Sequence, residues 1–184
     1  MWLLILGWVV FLGAHLTPGV FGQRDRLVAR LGEGRFTGLY IAASVTGMVG
    51  ILVGKYIAPF VNIWYPPVWA REVTGLLVLA GFILLLALFL PTNLRRVTKH
   101  PMLLGIACWG AGHLLANGDM ASMILFGGFT GYALVSYGSL IRRGKTGESQ
   151  HYPWWRDALV VGTGTAVYGL VLWLHPVLFG VAVF

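Results

Sequence analysis

Five histidines are the residues of this chain best suited to chemistry, and two of them fall where a polar ring is unexpected. His15 and His113 each lie inside a long apolar run, in LGAHL and WGAGHLL. An ionisable group at bilayer depth is costly and normally faces a partner, a cavity or a cofactor. A neutral imidazole carries one N–H donor and one lone pair, so it can ligate a metal or satisfy a neighbouring carbonyl. Two such rings on different helices could bind one metal from opposite faces, as axial histidines do in a b-type haem. His15 and His113 are therefore the candidate metal ligands. Trp109, on the same helical face as His113, is a candidate wall of the cofactor pocket. The plain alternative is that each histidine hydrogen-bonds a neighbouring span and locks helix packing. Both readings want the same buried, oriented imidazole, and the sequence leaves both open.

The richest stretch is Lys99–Asp119, KHPMLLGIACWGAGHLLANGD. It opens on a basic step and His100-Pro101, ordinary chemistry for a helix start. It closes on Asn117-Gly118-Asp119, a turn in which Asp119 is expected to cap the next helix rather than to catalyse. Gly105, Cys108, Gly112 and Ala116 recur at spacings of three and four, a stripe that lets another helix backbone approach. Cys108, the only cysteine, excludes an internal disulfide and any multi-cysteine metal site. In apolar surroundings it should be inert. His151 and His175 read as solvated or interfacial. The basic cluster at His100 reads as a meeting point with anionic lipid or with a soluble anion. No phosphate loop, HExxH or Ser-His-Asp set is present.

The elements that must position these residues are membrane helices. The 184-residue chain is 58% hydrophobic and only 10% charged, too little charge for a soluble domain. Its apolar runs are continuous, so strands are not expected, and several reach the roughly 20 residues that cross a bilayer. The expected spans are 2–20, 37–57, 73–90, 101–116, 120–140 and 158–174. The first, lacking a basic start, reads as a retained span rather than a cleaved signal. The segment 23–35 is weakly amphipathic and should lie at the interface. The third span is the most apolar and is expected to face lipid. Eleven of the thirteen lysines and arginines sit in the first, third and fifth loops. That asymmetry puts those loops in the cytoplasm and both termini outside. It also accounts for the net charge of +7 without nucleic acid. The reading is an all-α, polytopic membrane helix bundle of six spans, N-out and C-out, in one domain over 1–184. His15 and His113 then lie about 12 Å and 20 Å from the cytoplasmic ends of their helices, a mismatch of about 8 Å.

On these residues the chain resembles the NnrU family of bacterial membrane proteins. The likeness covers essentially the whole length and is most specific at KHPMLLGIACWGAGHLLANGD. LGAHLTPG, RLVARLGEGRFTGLY and ILFGGF support it. It implies a multi-pass protein of the bacterial inner membrane, linked to denitrification, with a nitrite or nitric oxide reductase as a partner. NnrU proteins are similar to the plant and cyanobacterial 15-cis-ζ-carotene isomerases, which are thought to hold haem b through two histidines. Carried over, those ligands are His15 of LGAHL and His113 of WGAGH. This implies haem b as cofactor, isomerase-like or redox chemistry, and a lipophilic substrate. The chain departs at Gly110, where the isomerases have a cysteine proposed as an alternative ligand; Cys108 lies on another face. A non-enzymatic accessory protein remains the alternative. His100-Pro101 also resembles the start of the S-adenosylmethionine site of membrane methyltransferases, without their polar C-terminal residues.

Overall fold

The computed structural model describes residues 1–145, 147, 149–181 and 183. They form α1 (Trp2–Gly19), α2 (Arg24–Leu31), α3 (Glu33–Tyr56), α4 (Ala70–Leu86), α5 (Leu94–Thr98), α6 (Pro101–Ala116), α7 (Met120–Arg142) and α8 (Trp154–Phe179). Among the described residues there is no strand, only an isolated bridge between Asn62 and Asp119. The all-helical expectation therefore holds. α1, α3, α7 and α8 are each long and apolar enough to cross a membrane. α4 and α6, at 17 and 16 residues, are shorter. α4 is prolonged by tight turns to Leu90, whose N–H bonds to Leu86 O at 3.2 Å.

α6 begins and ends where its sequence says it should. Pro101 takes the first helical turn, and Asn117 leaves in an extended conformation. Asp119 then caps α7 by accepting from Ser122 N at 2.9 Å. α2 is the short amphipathic segment, parted from α3 by Gly32 at φ 78°. The final apolar residues prolong α8 beyond Leu174, through His175 and Pro176 to Phe179.

The long helices pack in the order α3, α1, α7, α6, α4, α8. Glycines set each spacing, because apolar side chains gain nothing by leaving lipid and close backbone approach must supply the attraction. A Cβ on Gly7 of α1 would stand 2.5 Å from Ile51 N of α3, and one on Gly47 would stand 2.7 Å from Phe11 N. Gly81 of α4 and Gly105 of α6 meet so closely that a Cβ on either would lie 3.0 Å from the other's carbonyl. Thr74 Oγ1 donates across the same seam to Gly112 O at 2.8 Å. Gly164 joins α8 to Ile83 of α4 in the same way.

One packing expectation holds only in part. The third span faces lipid along part of its surface, where Leu76 and Phe89 are exposed, but α4 is also held between α6 and α8, and most of its residues are half-buried. Hydropathy cannot separate a lipid-facing helix from a helix-facing one, since both surfaces are apolar. Lipid-exposed faces belong also to α3 (Ile41, Val45, Val49, Leu52) and α8 (Leu170, Trp173, Val177).

Polar clusters fasten the two ends. At one end the 58–69 connection pairs with the α6–α7 turn: Ile63 N donates to Gly118 O and Met120 N to Val61 O, both at 2.8 Å. Lys55 Nζ reaches Asp119 Oδ1 at 2.9 Å and Ser122 Oγ at 2.7 Å. At the other, basic end Asp157 of α8 accepts from Thr92 Oγ1 (2.5 Å), Asn93 N (2.8 Å) and Asn93 Nδ2 (2.7 Å).

Candidate functional site

His15 and His113 are built alike. Each has an aromatic residue four positions earlier, Phe11 and Trp109, whose carbonyl its ring meets. His15 Nδ1 lies 2.9 Å from Phe11 O, and His113 Nδ1 lies 2.8 Å from Trp109 O. A carbonyl accepts only, so Nδ1 carries the proton in both rings and Nε2 keeps its lone pair. That is the arrangement in which histidines ligate metals: one ring nitrogen held by the protein, the other free to coordinate. Among the described residues, neither Nε2 has a hydrogen-bond partner.

Both rings are half-buried and both lean on α7. His15 stacks on Phe11 with centroids 4.0 Å apart, with Tyr132 of α7 at 5.6 Å and Tyr40 of α3 at 5.3 Å. His113 stacks on Phe126 of α7 at 4.5 Å, with Trp109 at 5.0 Å. Phe129 lies between, 5.9 Å from Phe11 and 5.8 Å from Trp109. The histidines therefore share one aromatic cluster but do not touch. The ring-to-ring route between them is His15, Phe11, Phe129, Trp109, His113. Their contacts on α7, Tyr132 and Phe126, are six residues apart, or about 9 Å along the helix. The offset expected from the sequence is of that size.

The two oriented imidazoles are donors of the kind a b-type haem takes, with aromatic carbon around them and no carboxylate among the described residues of the cluster, but the rings of Phe11 and Phe129 occupy the space between them. Trp109 packs edge-on against Phe126 at 5.1 Å. Trp8 adds a second feature. Its ring lies over Gly128, and its Nε1–H is buried with no hydrogen-bond partner among the described residues. An orphaned buried donor is rare and marks a place where a ligand's acceptor would be stabilised.

The remaining candidates are separated from this cluster. His100 caps α6 and places Nε2 2.7 Å from Lys145 O. His151 meets Arg96 at 3.1 Å in an exposed loop, and His175 meets Val181 O at 2.7 Å. Cys108 is half-buried, on neither histidine. The small-residue stripe packs on α4 through Gly105 and Gly112, while Gly110 packs on Phe126 and Thr130 of α7. Sequence reading missed the α7 half of the cluster. Its signal is present in FGGFTGY, where Phe126, Phe129 and Tyr132 recur every third residue and so share one helical face.

No curated protein and no solved structure matches this chain. A family model described as NnrU protein matches residues 3–183. That match runs through both histidines, the aromatic cluster and all the long helices, and the chain belongs to the NnrU family.

Proposed function

We propose that this membrane protein holds haem b through His15 and His113, within a six-span bundle of the bacterial inner membrane whose termini lie outside. The observation that carries the reading is the repeated orientation of the two imidazoles, each fixed at Nδ1 by a carbonyl four residues back and open at Nε2. Haem b, when bound, would supply one-electron chemistry, used for denitrification-linked electron transfer or for isomerising a lipophilic polyene.

The rest is work for the chain's own residues. Phe11 O and Trp109 O fix the tautomer and the ring planes, so Nε2 is the basic atom in both. Trp8, Phe11, Phe126 and Phe129 exclude water and lower the local polarity, which strengthens electrostatic control at the site. Trp8 Nε1–H is left as a donor for a ligand oxygen.

The test is spectroscopic. Purified from cells supplied with haem precursor, the protein should show a low-spin, six-coordinate spectrum. His15→Ala and His113→Ala should each reduce haem retention or convert it to high spin. Identical haem content and spectra in both variants would refute the assignment. A second reading is supported by Phe11 and Phe129, whose rings already fill space between the histidines. In that reading the chain is a non-enzymatic accessory to a nitrite or nitric oxide reductase, and the histidines serve packing. A preparation that stays colourless through haem titration, yet co-purifies with a reductase, would select it.

A further inference from the structure

A half-open cleft of about 420 Å³ lies at the basic end of the bundle, away from the aromatic cluster. Arg95, Lys99 and His100 line it together with the apolar Leu88, Met102 and Leu140. None of the described residues lining it is acidic. We propose that this cleft binds a phosphate group, that of an anionic phospholipid whose acyl chains run down the apolar side.

The cationic side is fixed in place. Arg95 Nε donates to Ala87 O at 2.6 Å and its NH2 to Leu88 O at 2.7 Å, so the guanidinium caps the end of α4 beside the cleft. Lys99 differs: among the described residues its ammonium has no partner. Its backbone is strained. At φ 61° and ψ −48° it is the one non-glycine residue with positive φ among those described. His100 N bonds back to Thr98 O at 2.7 Å, closing a positive-φ γ-turn around it.

Such strain persists only where the surroundings over-determine it. Here they do. Tyr137 Oη donates to Thr98 O at 3.3 Å, and its ring meets His100 edge-on at 6.1 Å. His100 Nε2 donates to Lys145 O. Gly147 then sits so near Lys99 that a Cβ there would stand 2.6 Å from Lys99 Cα. The fold thus commits a strained turn and the Lys99 ammonium to one spot, beside the Arg95 guanidinium. The apolar wall belongs to helix ends that lie in lipid, which favours a lipid phosphate over a soluble one.

The experiment is native mass spectrometry of the full chain, released from detergent after exposure to phosphatidylglycerol or phosphatidylcholine. Phosphatidylglycerol should be retained one per chain and about fivefold better than phosphatidylcholine, as the Lys99 ammonium implies. Lys99→Gln should cut that retention about fivefold. Lys99→Gly should cut it equally while raising the melting temperature, because glycine relieves the turn; loss of binding without loss of fold separates the two effects. Leu140→Trp, which fills the apolar side, should also weaken retention. Equal retention of the two lipids, or unchanged retention in both Lys99→Gln and Leu140→Trp, would overturn the proposal. Full displacement by millimolar inorganic phosphate would overturn the lipid assignment in favour of a soluble phosphate.

Discussion

Replacing Asp119 tests how α7, which carries the aromatic face between the histidines, is anchored. Asp119 is buried, its side chain 11% exposed, and its carboxylate does two jobs. It caps α7 through Ser122 N, and it balances the Lys55 ammonium, itself only about a third exposed. Asp119→Ala removes the cap, worth about 1 kcal/mol. It also leaves Lys55 with only Ser122 Oγ. A fully buried orphan charge would cost about 3–5 kcal/mol, and partial exposure of Lys55 reduces that to roughly 1–3. The expected loss is therefore about 2–4 kcal/mol. Asp119→Asn keeps a capping oxygen and should lose roughly 1–2 kcal/mol.

The assay is unfolding in mixed micelles, followed by near-UV circular dichroism. Burial pushes the Asp119 carboxyl up, but hydrogen bonds from Ser122 and Lys55 outweigh it and hold it below the usual carboxylate value. A group whose folded value is depressed contributes fully above its unfolded value, near pH 4, and loses that contribution as pH falls through the folded one. The gap between wild type and Asp119→Asn should therefore be constant near neutrality and close in acid below about pH 4. The double variant Lys55→Met/Asp119→Ala should lose less than the sum of its parts, by roughly 1–3 kcal/mol. A gap that ignores pH, together with strict additivity, would refute the reasoning.

Three further outcomes follow from the packing. Gly54→Leu places side-chain carbon against the Leu4 backbone and should destabilise by about 3 kcal/mol in the same assay, whereas Gly38→Leu, with open space around it, should be near neutral. Asp157→Ala strands the Thr92 hydroxyl, 1% exposed, at a cost of about 1–2 kcal/mol. Trypsin should then cut faster at Arg95 and Arg96. Trp109→Phe keeps the carbonyl that orients His113, so the haem spectrum expected for the wild type should persist, while Trp109→Ala should lose roughly 2 kcal/mol of packing.

The helix ends were legible because they are written in local chemistry. His100-Pro101 and Asn117-Gly118-Asp119 bound α6 where expected, since proline starts, turns and caps act over a few residues. The packing partners were less legible. α4 reads as lipid-facing because its apolar residues serve lipid and helix alike; only Gly81 signals the closeness of α6. His15 and His113 were findable as isolated polar rings in apolar runs. Their surroundings were not, because the cluster joins α1, α6 and α7 across more than a hundred residues. The ties Lys55–Asp119 and Thr92–Asp157 span 64 and 65 residues, beyond the reach of any motif.

The Lys55–Asp119 tie also bears on how the protein is made. When α3 leaves the ribosome, its lysine arrives without its carboxylate, which is 64 residues further on. At about 5–20 residues per second, the wait is roughly 3–13 s. Throughout it, α1 and α3 can already be zipped together by Gly7, Gly47 and Gly54, which need no later segment. The 58–69 connection stays unpaired until residues 117–120 emerge. Assembly of this bundle is thus ordered by translation: an early glycine-packed pair waits in the bilayer, and the start of α7 completes it.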